Sequence, residues 1–315
     1  CHYCLGHQEH KLAAAGVSDD RLGLLDSDWS TFSPREQAAY ALARKLTLEP
    51  HRVAEADVQA LRDHFSDKEI VELVLWISMF NSVNRWTDGL GLPQDQSFRG
   101  VPIDFLTPTN GRFAECRSLA APDPGVVRPP LEPRQEVAAA WSTCRNRTPR
   151  VALLREEELR TLLPVDRGAG PIPAWKRALA YFPAMGLEQA ACIEAVAREG
   201  RLPPLLKAQL AWVSARHNRA WYALDCARAR LAALGCSQDD IWSLDQLDGH
   251  IDQAVAEALR FGARLTATPH AIADADVARL REHYSDHETA EIVFVVCTAN
   301  MFDRFTETLG LPLEP

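Results

Sequence analysis

Ser66-Asp67-Lys68-Glu69, running into Ile70-Val71-Glu72-Leu73-Val74-Leu75-Trp76-Ile77-Ser78-Met79-Phe80, is the stretch that decides the fold. A serine followed three residues later by a glutamate, at the head of an apolar run, is a capping box: hydroxyl and carboxylate satisfy the first free N–H groups of a helix. Only Glu72 and Ser78 are polar between Ile70 and Phe80, and the run continues through Arg85 and Trp86 before stopping at Gly89 to Pro93. This predicts one long helix. It is too apolar for a surface, which places it at the centre of a helical unit or in a subunit interface.

The same signal returns in Ser285-Asp286-His287-Glu288, and working outward from it shows a longer repeat. Residues 1–93 align with 220–312 at a constant offset of 219, without a gap, and about a third of the pairs are identical. Among them are Leu12-Ala13-Ala14 with Leu231-Ala232-Ala233, Pro50-His51 with Pro269-His270, and Leu90-Gly91-Leu92-Pro93 with Leu309-Gly310-Leu311-Pro312. Self-similarity on this scale predicts a tandem duplication of one domain, not a solenoid of short repeats.

Each copy reads as helix throughout. Ser33-Pro34-Arg35-Glu36 is a second capping box, with Pro at the first helical position, and opens a helix to about Leu46. Ala54 to Phe65 carries Val58, Leu61 and Phe65 on one face. Residues 94–133, rich in Pro and Gly, read as an extended linker. Helices follow over Arg134–Trp141, Arg155–Leu163, Ile172–Phe182, Leu187–Glu199 and Pro204–Arg216, a leader ahead of the second copy. The expected fold is therefore all-α: a first unit over 1–93, the linker over 94–133 and a second unit over 134–315. The first copy shows no matching leader, so its N-terminal leader helices are expected to be missing from this chain.

Composition narrows the function. With 47% hydrophobic residues among 315, the chain can bury one large or two ordinary cores. A net charge of −9 argues against nucleic acid or an anionic membrane as a main partner, because phosphates need a basic face. No apolar run reaches the length of a membrane span. Eight scattered cysteines in a chain too long to need staples suit a reducing compartment, so a cytoplasmic location is expected.

The chemistry concentrates in Cys1-His2-Tyr3-Cys4-Leu5-Gly6-His7-Gln8-Glu9-His10. The Leu12 to Ala15 that follows is strong helix former ending at Gly16, so the cysteines belong to the first turns of a helix, where residues three apart are neighbours. Cys1 and Cys4 then face each other across one turn, with His7 a turn beyond. A free cysteine with a pKa near ~8.5 is only slightly ionised at pH 7; a helix N-terminus and an imidazole favour the reactive thiolate. A second thiol can resolve the sulfenic acid that peroxide attack leaves. Two other readings stand beside this one. The CxxC is half of a zinc site, although ligands drawn from Cys1, Cys4, His7 and His10 would span roughly 13 Å of one helix, too far for a single tetrahedral ion. Or the cysteines are inert and buried.

The CxxC with its nearby His, the capped long helix and the closing Gly-x-Pro together resemble the carboxymuconolactone decarboxylase and alkylhydroperoxidase D-like superfamily, closely over Cys1 to Pro93 and more loosely over about 160 to 312. The resemblance implies an all-α, usually oligomeric protein that reduces hydroperoxides through a thiol relay, with a thiol or dithiol reductant as partner and no cofactor. It makes Cys4 the peroxidatic thiol, Cys1 the resolving thiol and His7 the proton acceptor. Two positions depart from the family pattern. The relay His is expected four residues after the second Cys, where this chain has Gln8, and a Glu is expected twelve before the first Cys, a position that in the second copy is Ala208. A lactone decarboxylase of the same superfamily, built on a cationic carboxylate pocket, and a non-catalytic helical scaffold are the alternatives.

At the offset of 219, Cys1, Cys4 and His7 become Ala220, Ala223 and Cys226, so the second copy is expected to keep the frame without the thiol chemistry. Asp225 beside Cys226 disfavours its thiolate. Glu9 and His10 read as surface, and His51, His270, His64 and His283 as turn-packing residues. Asn81 with Arg85, repeated as Asn300 with Arg304 on the long helix, reads as polar contacts between helices, with the lining of a pocket mouth as the less favoured alternative. The eight tryptophans read as core, and Cys116, Cys144, Cys192 and Cys297 as small apolar residues.

Overall fold

The computed structural model describes residues 1–25, 28–93, 95, 97–98, 101–102, 128–162, 170–247 and 251–314. It is all-helical, as the caps and periodicity predict. The helices are α1 (His2–Ala14), α2 (Asp19–Leu24), α3 (Pro34–Leu48), α4 (Glu55–Arg62), α5 (Asp67–Gly89), α6 (Arg134–Arg145), α7 (Glu156–Leu162), α8 (Ala174–Leu179), α9 (Pro183–Arg198), α10 (Pro204–Asn218), α11 (Trp221–Ala233), α12 (Gln238–Ser243), α13 (Gln253–Ala267), α14 (Asp274–Arg281) and α15 (Asp286–Thr308). The one strand pairing among the described residues is a short antiparallel contact, Ser97–Phe98 against Val101–Pro102. Most of the linker read over 94–133 lies outside the described residues.

Helices α1 to α5 have counterparts in α11 to α15, each displaced by 219 residues at both ends. Local sequence explains why the boundaries fall where they do. Ser66 and Ser285 each accept from the amide three residues on, Glu69 or Glu288, while that glutamate's carboxylate accepts from the serine amide. Ser33 and Glu36 cap α3 in the same way. Gly16 and Gly235 end α1 and α11 at φ +86° and +93°, the left-handed region in which a side chain would be strained. Replacing Ser66 or Ser285 by Ala is expected to cost about 1 kcal/mol each, by urea denaturation. Two variants indistinguishable from the unaltered chain would show that the caps do not set these helix starts.

The two 23-residue helices α5 and α15 pack closely against each other, and their buried residues, among them Ile70, Val74, Val293 and Val296, lie in the core. One core cluster joins α10, α11, α13 and α15 through residues such as Leu210, Trp212, Leu231, Leu259 and Val296. A second joins α3, α4 and α5 to side chains from 144 to 190, among them Cys144, Trp175 and Leu179, and to Phe305, Leu309 and Leu311 near the C-terminus. The polar layer between α5 and α15 repeats too. Asn81 donates to Thr47 Oγ1 and accepts from Arg85, whose other Nη donates to the Thr266 carbonyl at the end of α13. Asn300 donates to Thr266 Oγ1 and accepts from Arg304, whose Nε donates to the Leu46 carbonyl at the end of α3. Each arginine thus reaches into the other half.

Two assignments to the interior are corrected. Trp76 is 43% exposed and stacks on Phe80 one turn along α5, and Cys192 is exposed on α9. Cys144 and Cys297 are buried as small apolar residues, and Cys116 lies outside the described residues. Among the described residues no helix is long and apolar enough to cross a membrane.

Candidate functional site

The CxxC occupies the N-terminal turn of α1, which lies against the C-terminal part of α5. Cys1 is the N-cap: its sulfur accepts from the Cys4 amide at 3.2 Å. Thr87, on α5, brings the pair together. Its Oγ1 lies 3.0 Å from the Cys1 sulfur and 3.1 Å from the Cys4 sulfur, and it donates to the Val83 carbonyl at 3.0 Å. A hydroxyl has one proton. While both cysteines are thiols, that proton rests on Val83 O and the threonine oxygen accepts from S–H; when one sulfur ionises, a rotation of the hydroxyl points the proton at the thiolate.

Cys4 is buried, at 8% exposure, and burial pushes its thiol above the ordinary value. The Thr87 hydrogen bond and the charge of Lys11 work in the opposite direction, and Asp88 adds to the rise. A helix N-terminus alone would suggest an easily ionised thiol. Packing of α1 on α5 takes the sulfur out of water, and desolvation outweighs the hydrogen bond.

His7 is buried, at 7% exposure, and its Nε2 lies 3.1 Å from Asp95 Oδ2. The same carboxylate oxygen accepts from the Tyr3 hydroxyl at 2.8 Å, and the Tyr3 and His7 rings are 4.5 Å apart. Tyr3, His7 and Asp95 therefore form a compact group one turn from the thiols. His10, expected at the surface, is buried at 8%: Cys4, His7 and His10 follow at intervals of three and share the packed face of α1.

Sequence reading missed Thr87 and Asp95. Thr87 recurs as Thr306, so nothing in the repeat marks it as special to the thiol half, and Asp95 falls in the stretch read as linker. Yet Asp95 stands 219 residues before Glu314, which accepts from the Tyr222 hydroxyl. The tyrosine–acid bond is thus present in both halves, with Cys226 in place of His7. Burial first, then Asp225 and Glu314, pushes the Cys226 thiol up to about 12. That sulfur is held as a thiol at neutral pH.

No family model matches the chain. Over 95 residues it is 30% identical to the uncharacterized protein YdfG of Bacillus subtilis strain 168, a stretch that makes up 29% of this chain. The chain spans 64% of that relative's length. Among solved structures, a crystal structure of the debrominase Bmp8 in complex with 2,3,4-tribromopyrrole is similar at a TM-score of 0.47 and 17% identity, over 51% of this chain and 90% of the other.

Proposed function

We propose that the chain is a tandem pair of alkylhydroperoxidase D-like units, of which the first reduces hydroperoxides through Cys4 and Cys1. The observation that supports this reading is the approach of both sulfurs to one threonine hydroxyl, on the first turn of a helix. In the first step the Cys4 thiolate attacks the terminal oxygen of ROOH, the O–O bond breaks, and ROH leaves with a proton while Cys4 becomes a sulfenic acid. Cys1 then attacks the Cys4 sulfur, forming the disulfide and releasing water. An external dithiol, itself oxidised to a disulfide, restores the pair.

The surroundings of the two sulfurs suit these roles. A thiolate of higher pKa is the stronger nucleophile once formed, which fits the buried Cys4. The amide hydrogen bond to Cys1 is stronger to a thiolate than to a thiol, which fits the resolving step. His7, whose Nε2 lies 3.1 Å from Asp95 Oδ2 one turn beyond Cys4, is the residue assigned to take the proton that Cys4 loses.

One equivalent of cumene hydroperoxide should lower the titratable thiols from eight to six per chain, with a Cys1–Cys4 disulfide in the peptide map. An unchanged count of eight would refute the proposal. Thr87→Val, close to isosteric, should slow the first step by about ten- to a hundredfold, the value of one hydrogen bond to a charged group. The rate should also rise with pH beyond the ordinary thiol range, because burial raises Cys4 and only its thiolate attacks. A rate already saturated at pH 7 would contradict the stated environment of Cys4.

A further inference from the structure

The second half holds a cavity of about 240 Å³, open on one side, where the first half has its thiol site: Ala223 and Cys226, the counterparts of Cys4 and His7, are in its wall. Its lining is chiefly apolar, with Trp175 and Ile193 from α8 and α9, and Val295 and Phe302 from α15.

The charged groups in the wall differ in what they hold. Lys207 is paired with Glu291 and also donates to the Glu199 carbonyl. Glu194 is 2.7 Å from Lys176 and 3.9 Å from Arg198. Asp303 accepts from Ser214 and Asn218 through one oxygen, and burial raises it to about 7, so it is not a fixed anion. Arg230 differs from these. Among the described residues it has no carboxylate partner, while burial and the charge of Arg198 both disfavour its cation. A half-buried guanidinium beside an apolar cavity, without a counter-ion, is a site for an anion that brings its own hydrocarbon.

We infer that this cavity binds an organic carboxylate of about ten non-hydrogen atoms, its carboxylate on Arg230 and its hydrocarbon along the wall that Trp175 and Phe302 form with their rings in edge contact. The size follows from volume, since an apolar cavity of ~150 Å³ accepts benzene. The inference is independent of the thiol chemistry, and Cys226, held as a thiol, marks the cavity as a binding site without a nucleophile.

Calorimetric titration with sodium octanoate tests it, with 1-octanol as the neutral probe of similar length. The unaltered chain should bind octanoate saturably at one site. Arg230→Met should weaken octanoate about tenfold or more, the worth of one charge-assisted hydrogen-bonded pair, and leave 1-octanol nearly unchanged. Ala223→Phe should abolish binding of both; if circular dichroism shows that variant unfolded, Ala197→Trp at the outer wall replaces it. Cys4→Ser should bind octanoate normally. Absence of saturable octanoate binding at millimolar concentration, an Arg230→Met affinity equal to that of the unaltered chain, or loss of binding in Cys4→Ser would each overturn the inference.

Discussion

Cys4→Ser is expected to abolish hydroperoxide turnover, and Cys1→Ser to consume one equivalent of peroxide and stop. The two variants remove sulfurs only one helical turn apart that share one hydroxyl, so their difference isolates role from location. Without Cys4 no sulfur is left in the buried position against Thr87 where the peroxide oxygen is to be attacked, and a serine hydroxyl at pH 7 offers no comparable nucleophile. Without Cys1 the attack still occurs, but the sulfenic acid has no partner and stays until an external thiol or further peroxide reaches it. Both substitutions are nearly isosteric, so unfolding should not confuse the result. Peroxide consumption in single-turnover mode, with sulfenic acid trapped by dimedone and located by mass spectrometry, reads the outcome. A dimedone adduct on Cys1 in Cys4→Ser, with none on Cys4 in Cys1→Ser, would exchange the two assignments. Full turnover in Cys4→Ser would remove thiol chemistry from this helix.

The legible part of the molecule was written in short-range signals. Each capping serine is followed three residues later by its acid, so Ser33, Ser66 and Ser285 announced helix starts that the structure places at Pro34, Asp67 and Asp286. One start was misplaced: α9 begins at Pro183, one turn before the predicted Leu187, because Pro fits the first turn of a helix and Phe182 provides no side-chain cap to mark it.

The candidate site was only half legible, for a related reason. Cys1, Cys4 and His7 lie within two helical turns, and periodicity alone places them on one face. Thr87 and Asp95 reach that face from 83 to 88 residues away, through the packing of α1 on α5 and the return of the chain after α5. No local pattern encodes such a meeting. The burial that raises Cys4 belongs to the same packing, so a sequence argument from the helix N-terminus alone pointed to a more acidic thiol than the fold allows. The repeat held one further clue. Tyr3 and Tyr222 match at the offset of 219, and so do the acids they bind, Asp95 and Glu314, two residues beyond the last identical pair.

Asn300→Ala is expected to cost about 3–5 kcal/mol, the largest stability loss of any substitution considered, because the side chain joins four partners where water cannot replace it. Asn300 is fully buried. Its Nδ2 donates to Thr266 Oγ1 and to the Val296 carbonyl, both at 2.9 Å, and its Oδ1 accepts from Arg304 Nη1 at 2.7 Å and from Asn218 Nδ2 at 3.1 Å. The guanidinium is the reason the cost is high. Arg304 is 1% exposed, desolvation disfavours its charge, and the nearby Arg85 and Arg128 repel it. Its Nη2 has no partner among the described residues. Removing Oδ1 takes away the side-chain acceptor of a cation that cannot reach solvent. Asn81→Ala should cost less, because Asn81 does for Arg85 what Asn300 does for Arg304 but shows no equivalent of the Asn218 bond. Asn300→Asp should fall between the unaltered chain and Asn300→Ala: it keeps an acceptor for Arg304 and adds a counter-charge, but gives up both donated bonds. Urea denaturation of the three variants orders them. A loss in Asn300→Ala of about 1 kcal/mol, typical of an ordinary buried hydrogen bond, would mean that Arg304 is held by the Leu46 and Asn300 carbonyls alone, and that the matched polar layer between α5 and α15 is packing rather than charge support.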